Sequence, residues 1–179
     1  AAGRIAMHTL VIGGSASGKS ELAELLTLKG PAPHYYIATM EVHDAESQRR
    51  VARHQNLRAG KGFWTIERPV DLGGLRLPKP GGTALIECVT NLVANECFSP
   101  NGVGMAQAVD AVLAGADALM AQAMCIFVTG DVFADGIAYD TGTQGYLKSL
   151  AAVNAGLAAH CGRVVESVCG LPQWLKGGR

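Results

Sequence analysis

Gly13-Gly14-Ser15-Ala16-Ser17-Gly18-Lys19-Ser20 is the stretch that decides the fold of this 179-residue chain. It fits the pattern G-x-x-x-x-G-K-S/T, and its flanks supply the context that the pattern requires. Upstream, Met7 to Ile12 is a short apolar run that stops at the glycines, which predicts a buried strand entering a loop. Downstream, Leu22, Ala23, Leu25 and Leu26 recur at helical spacing from Ser20, and Lys29-Gly30-Pro31 ends that helix. The glycines let successive backbone amides converge on phosphate oxygens, and the positive end of the helix dipole points the same way. Lys19 then reaches the outer phosphates, and the Ser20 hydroxyl ligates magnesium. A flexible Gly/Ser turn is the plainer alternative, and the strand and helix on either side argue against it.

Working outward, strands and helices alternate. Strands are expected at Tyr35 to Thr39, Phe63 to Ile66, Thr83 to Glu87, Cys125 to Thr129 and, last, Val164 to Cys169. Helices are expected at Asp44 to Arg58, Thr90 to Phe98, Met105 to Ala123 and Thr143 to His160. Pro78 to Gly82 and Ser99 to Gly104 read as surface connections. This order predicts an α/β fold with a mostly parallel sheet covered by helices on both faces, in a single domain spanning residues 1–179.

Composition narrows the function classes. Apolar residues make up 49% of the chain, enough for a packed core. Lys plus Arg equals Asp plus Glu at 15 each, which argues against a general nucleic-acid or anionic-membrane surface. Any basic cluster is therefore local and aimed at something small. No apolar run approaches a membrane span, and the start reads as the first strand rather than a signal peptide. The five cysteines, Cys88, Cys97, Cys125, Cys161 and Cys169, show no C-x-x-C spacing and read as buried, reduced thiols of a cytoplasmic protein.

A phosphate loop needs a carboxylate to organise magnesium, and two stand at strand ends: Glu87, after Ala84-Leu85-Ile86, and Asp131, after Ile126-Phe127-Val128-Thr129. Glu87 closes the cleaner strand; for each, a loop or capping acid is the plain reading. Arg49, Arg50, Arg53, His54 and Arg58 crowd one expected helix at spacings that share a face. A solvated basic face explains them simply. The sharper reading has the arginines hold a triphosphate while His54, kept neutral by neighbouring cations, attacks it. His8, His34, His43 and His160 carry no such context.

Gly13 to Ser20, Tyr36-Ile37-Ala38-Thr39, Arg50-Val51-Ala52-Arg53-His54, Trp64-Thr65-Ile66-Glu67 and Leu85-Ile86-Glu87-Cys88-Val89-Thr90-Asn91-Leu92-Val93-Ala94-Asn95 occur in this order. Together they resemble the bifunctional adenosylcobinamide kinase / adenosylcobinamide-phosphate guanylyltransferase family of cobalamin biosynthesis. The likeness spans nearly the whole chain and is most specific in its first hundred residues.

That resemblance implies a P-loop NTPase with a RecA-like sheet, assembled as a trimer. It implies that His54, the histidine of R-I/V-x-x-H, becomes guanylylated. It also implies nucleotide contacts from Gly13, Gly14, Ser15, Ala16, Ser17, Gly18, Lys19, Ser20, Ile37, Ala38, Thr39, His54, Gln55, Asn56, Leu57, Glu67 and Glu87, with Ser20 and Glu87 on Mg2+. The substrates implied are ATP or GTP, adenosylcobinamide and its phosphate. The second half departs from the family pattern: Gly130-Asp131-Val132-Phe133 stands where N-E-V-G is usual, and Gly145-Tyr146-Leu147-Lys148-Ser149 replaces an arginine-rich stretch. Two other readings stay open, a small P-loop kinase without a covalent histidine and a non-catalytic GTP-binding regulatory subunit.

Overall fold

Alternation along short apolar strands sets the layers, because successive side chains of a strand point to opposite faces. Leu10, Tyr35, Ile37, Ala84, Ile86, Cys125, Phe127 and Val164 belong to one buried cluster, and their sequence neighbours Val11, Tyr36, Leu85, Ile126, Val128 and Val165 to another. A sheet apolar on both faces needs helices on both, and the chain supplies them. The structure is a computed structural model and describes residues 7–131 and 140–178.

The elements run β1 (Thr9–Gly13), α1 (Lys19–Leu28), β2 (His34–Ala38), α2 (Ala45–Arg58), β3 (Phe63–Glu67), β4 (Thr83–Glu87), α3 (Val89–Phe98), α4 (Met105–Met120), β5 (Met124–Gly130), α5 (Thr141–His160), β6 (Arg163–Val168) and β7 (Leu171–Lys176). The sheet order is β3-β2-β4-β5-β1-β6-β7, parallel except for β7, which is antiparallel to β6. Helices α3, α4 and α5 pack together over the first cluster, while Ala23 of α1 fills the second. Burying one side chain such as Leu85, which is 0% exposed, contributes about 1.5–3 kcal/mol. This is the expected α/β fold, a mostly parallel sheet with helices on both faces and the glycine loop between β1 and α1. Among the described residues, no helix is long and apolar enough to cross a membrane.

Three expectations need correction. Val164 to Cys169 does not hold the last strand: β6 ends at Val168, and a hairpin returns β7 along it. Cys169 (φ 51) and Gly170 (φ 77) occupy the turn in left-handed conformations, as a tight two-residue hairpin requires. Pro172 hides β7 in the sequence, yet an edge strand tolerates a residue without an N–H. Cys169 is consequently exposed rather than buried, and all five cysteines are unbonded. Finally, α4 stops at Met120, and its last turn is followed by the Gln122 side chain, which bonds Leu75 O and the Leu77 N–H instead of extending the helix.

Register places the chemistry. Ala38 is paired with both Glu67 and Glu87, and Gly13 with Gly130, so the carboxyl ends of these strands lie along one rim of the sheet. In open α/β sheets that rim is where ligands bind.

Candidate nucleotide site

The glycine loop leaves β1 and enters α1 through Gly18 at φ 85, with Ala16 also left-handed at φ 56. Aspartates cap α2 (Asp44 on the Ser47 N–H) and α5 (Asp140 on the Thr143 N–H), whereas no side chain caps α1. The first amides of α1 are thus left for an anion. The Lys19 ammonium donates to Gly14 O at 3.0 Å, folded over its own loop.

The hairpin that the sequence concealed braces this loop. Ser17 O accepts from the Gly170 N–H at 2.8 Å and from the Ser167 hydroxyl at 2.7 Å. A Cβ on Gly18 would stand 2.9 Å from Gly170 Cα, too close for backbone. Gly18→Ala therefore strains the φ of the loop, at about 1–2 kcal/mol, and pushes the hairpin away. A lowered thermal midpoint together with a raised Kd for nucleotide is the expected result; unchanged nucleotide titration would contradict the bracing.

Of the two strand-end acids, Glu87 makes a hydrogen bond to the loop's helix. The Ser20 hydroxyl donates to Glu87 Oε1 at 2.9 Å, joining α1 to the end of β4. Glu87 Oε2 is sealed from solvent and has no hydrogen-bond partner among the described residues, while Asp131 lies exposed beyond β5. Burial raises the Glu87 pKa, opposed by the Ser20 hydrogen bond and the charge of Lys19. An orphaned buried carboxylate oxygen beside a hydroxyl is a donor pair that suits a hard divalent cation such as Mg2+.

Helix α2 stands across from the loop. Ser15 to Glu21, Glu24, Tyr36, Met40, Arg50, Arg53, His54, Leu57 and Lys61 line one open cleft. His54 is open to solvent at this wall. Partial desolvation of its ring lowers the pKa, and the charges of Arg58 and Arg53 lower it further, against a smaller opposing effect of Glu24. An imidazole held neutral, facing a phosphate loop, can act as a nucleophile. A smaller adjoining cavity is lined by Tyr36, Ala38, Met40, Val51, His54, Arg58, Glu87, Cys88 and Asn91.

The structure brings Ser15 to Ser20, Ala38, His54, Leu57 and Glu87 to these two connected walls. Other expected residues lie elsewhere. Ile37 is buried in the opposite cluster, as alternation from Ala38 demands. Thr39 is buried, its hydroxyl donating to Cys88 O and accepting from the Cys88 N–H, both at 2.8 Å. Gln55 lines a separate cavity with Gly60 and Thr65, Asn56 is exposed, and Glu67 is exposed at the end of edge strand β3. Tyr36, Met40, Cys88 and Asn91 were missed. Tyr36 could have been found, since it shares a strand face with Ala38; Met40, Cys88 and Asn91 meet the site only through folding. The remaining histidines are structural or exposed as expected: His8 Nδ1 accepts from the Cys125 N–H and His34 bonds Gly30 O, while His43 faces Glu41 and His160 faces Asp117. The stretch from Val132 to Tyr139, which includes part of the departing second half, lies outside the described residues.

Comparison with known proteins leads to the same place. A family model described as "Cobinamide kinase / cobinamide phosphate guanyltransferase" matches residues 9–175. The bifunctional adenosylcobalamin biosynthesis protein CobP of Pseudomonas aeruginosa is 30% identical over 174 residues, covering 96% of this chain and 98% of that protein. The CobU proteins of Escherichia coli and Salmonella typhimurium are 37% and 38% identical, each over 54% of this chain and 53% of the relative. Among solved structures, the P4 protein of bacteriophage phi6 in complex with ADP aligns with a TM-score of 0.41 at 14% identity, covering 92% of this chain and 52% of that chain, too loosely to build on. With a match that runs from the first strand to the last, the chain belongs to the cobinamide kinase / cobinamide phosphate guanyltransferase family.

Proposed function

We propose that this chain phosphorylates adenosylcobinamide with ATP or GTP and then transfers GMP from GTP to the product, with His54 as the covalent carrier. The observation that carries the reading is that His54 and Lys19 line one cleft. In the first reaction the loop amides and Lys19 hold the triphosphate while the acceptor hydroxyl attacks the terminal phosphorus. In the second, a ring nitrogen of neutral His54 attacks the α-phosphorus of GTP and pyrophosphate leaves. The cobinamide phosphate then takes GMP from the histidine, so one difficult displacement becomes two easier ones.

Ser20 and Glu87 are the residues that would hold Mg2+, with Glu87 Oε2 as the unclaimed donor. When bound, the ion supplies charge neutralisation at the phosphates. Lys19 and the loop amides do the positioning themselves.

Incubation with GTP labelled at the α-phosphate tests the reading. Label on His54 that is labile to acid and stable to base supports it; turnover without label fits a plain P-loop kinase, and binding without either fits a regulatory subunit. The pH profile offers a second check. Only the neutral ring attacks, and its lowered pKa keeps it neutral in more acidic solution. The second-order rate constant for labelling, which reports the free enzyme, should hold down to about pH 6.5 and fall only below it. A midpoint above that value would contradict the electrostatics.

A further inference from the structure

Arg58 is the basic residue that neither the fold nor the phosphate loop explains. It is 6% exposed, at the C-terminal end of a helix whose other residues are mostly solvated. Its guanidinium lies 3.6 Å from the centroid of the Tyr36 ring, and its Nε is sealed from solvent with no hydrogen-bond partner among the described residues. Among the described residues no carboxylate pairs with it. Glu24 is committed to Lys61 at 2.7 Å, and Glu87 Oε1 to the Ser20 hydroxyl at 2.9 Å.

The other arginines of α2 differ. Arg50 pairs with Glu46 at 2.7 Å, Arg49 donates to Ala45 O at 3.2 Å, and Arg53 is exposed. A guanidinium stays charged at any accessible pH, and a buried charge without a counter-charge is unfavourable unless a ligand brings one. Contact with Tyr36 and the charge of Glu87 in the same pocket account for the position of the side chain, but among the described residues the guanidinium makes no direct ion pair. Arg58 and His54 sit one helical turn apart, and both line the small cavity that also holds Glu87.

We propose that Arg58 receives a non-bridging oxygen of the phosphoryl group that passes through His54. The inference rests on the guanylyl-histidine reading above. A bond forms between a ring nitrogen of His54 and the α-phosphorus, and the bond from that phosphorus to its bridging oxygen breaks. Pyrophosphate departs with the electron pair, and the proton on the other ring nitrogen passes to solvent. Negative charge accumulates on the non-bridging oxygens as five groups crowd the phosphorus. The planar fork of Arg58 meets that charge in a partly dry pocket, where it is most effective.

The test is single-turnover labelling of His54 with α-labelled GTP in Arg58→Ala and Arg58→Lys, with guanidinium ion titrated into each. Removing a donor aimed at developing charge lowers such rates by about 10²–10³-fold, and that fall is expected for Arg58→Ala, partly restored by guanidinium. Arg58→Lys keeps the cation and the stem without the fork, so a smaller fall in a folded protein is expected and guards against a merely unfolded alanine variant. Labelling at the wild-type rate in either folded variant overturns the proposal. So does a fall that guanidinium leaves unchanged, which would assign Arg58 to anchoring α2 alone. Absence of label in the wild-type protein would instead sink the guanylyl-histidine reading itself.

Discussion

His54→Ala is expected to abolish transfer of GMP while nucleotide binding and phosphorylation of adenosylcobinamide persist. The side chain is exposed and makes no hydrogen bond among the described residues, so its removal leaves the core and the loop untouched. On the proposed reading, residues outside the transfer step would still hold the triphosphate: the uncapped amides at the start of α1, Lys19 and the Ser20–Glu87 pair. What disappears is the atom that accepts the nucleotide, and no nearby group replaces it. Cys88 lines the adjoining cavity, but burial and then the neighbouring Glu87 raise its pKa, which keeps the thiol protonated and a poor nucleophile. Assaying adenosylcobinamide and its phosphate as separate substrates measures both halves. A variant that still forms the GDP derivative would exclude His54 as carrier.

Lys19→Ala is expected to have the broader consequence, because the proposed mechanism has both reactions draw on one phosphate cradle. Its ammonium rests on Gly14 O at 3.0 Å, an exposed contact whose loss costs the fold little. Lysine is a point charge on a flexible stem, and on the proposed reading Lys19 would leave its own loop to follow the outer phosphates. Loss of one such charge from a transferring phosphoryl group costs about 10²–10³-fold, and a fall of that order is expected in both half-reactions. Thermal unfolding should barely change. Normal rates of phosphoryl and guanylyl transfer in this variant would mean that the loop has been misassigned.

The loop, the strand before it and the helix after it were legible because each is encoded locally. Gly13 to Ser20 carries its own conformational instructions, and the helical spacing from Leu22 to Leu26 needs nothing from afar. The choice of Glu87 over Asp131 was harder. β5 lies between β1 and β4 in the sheet, so only the folded rim shows that Glu87 meets Ser20. β7 escaped notice because an edge strand has a weak alternation and Pro172 argues against pairing. The bracing of Ser17 by Ser167 of β6 and by the hairpin turn could not have been read at all, since the Ser167 contact joins residues 150 apart. Ile37 was credited with nucleotide contact by resemblance, although alternation from Ala38 already turned its side chain to the far face. Arg58 stood in the sequence among four basic neighbours on α2, and only its burial against Tyr36 separates it from them.

The most direct measurement is a crystal structure of the protein soaked with GTP and magnesium. The account predicts triphosphate oxygens on the amides between Gly14 and Ser20, Lys19 turned onto them, and the His54 ring beside the α-phosphorus. A nucleotide lying away from Lys19, or an imidazole facing solvent on the far side of α2, would contradict it.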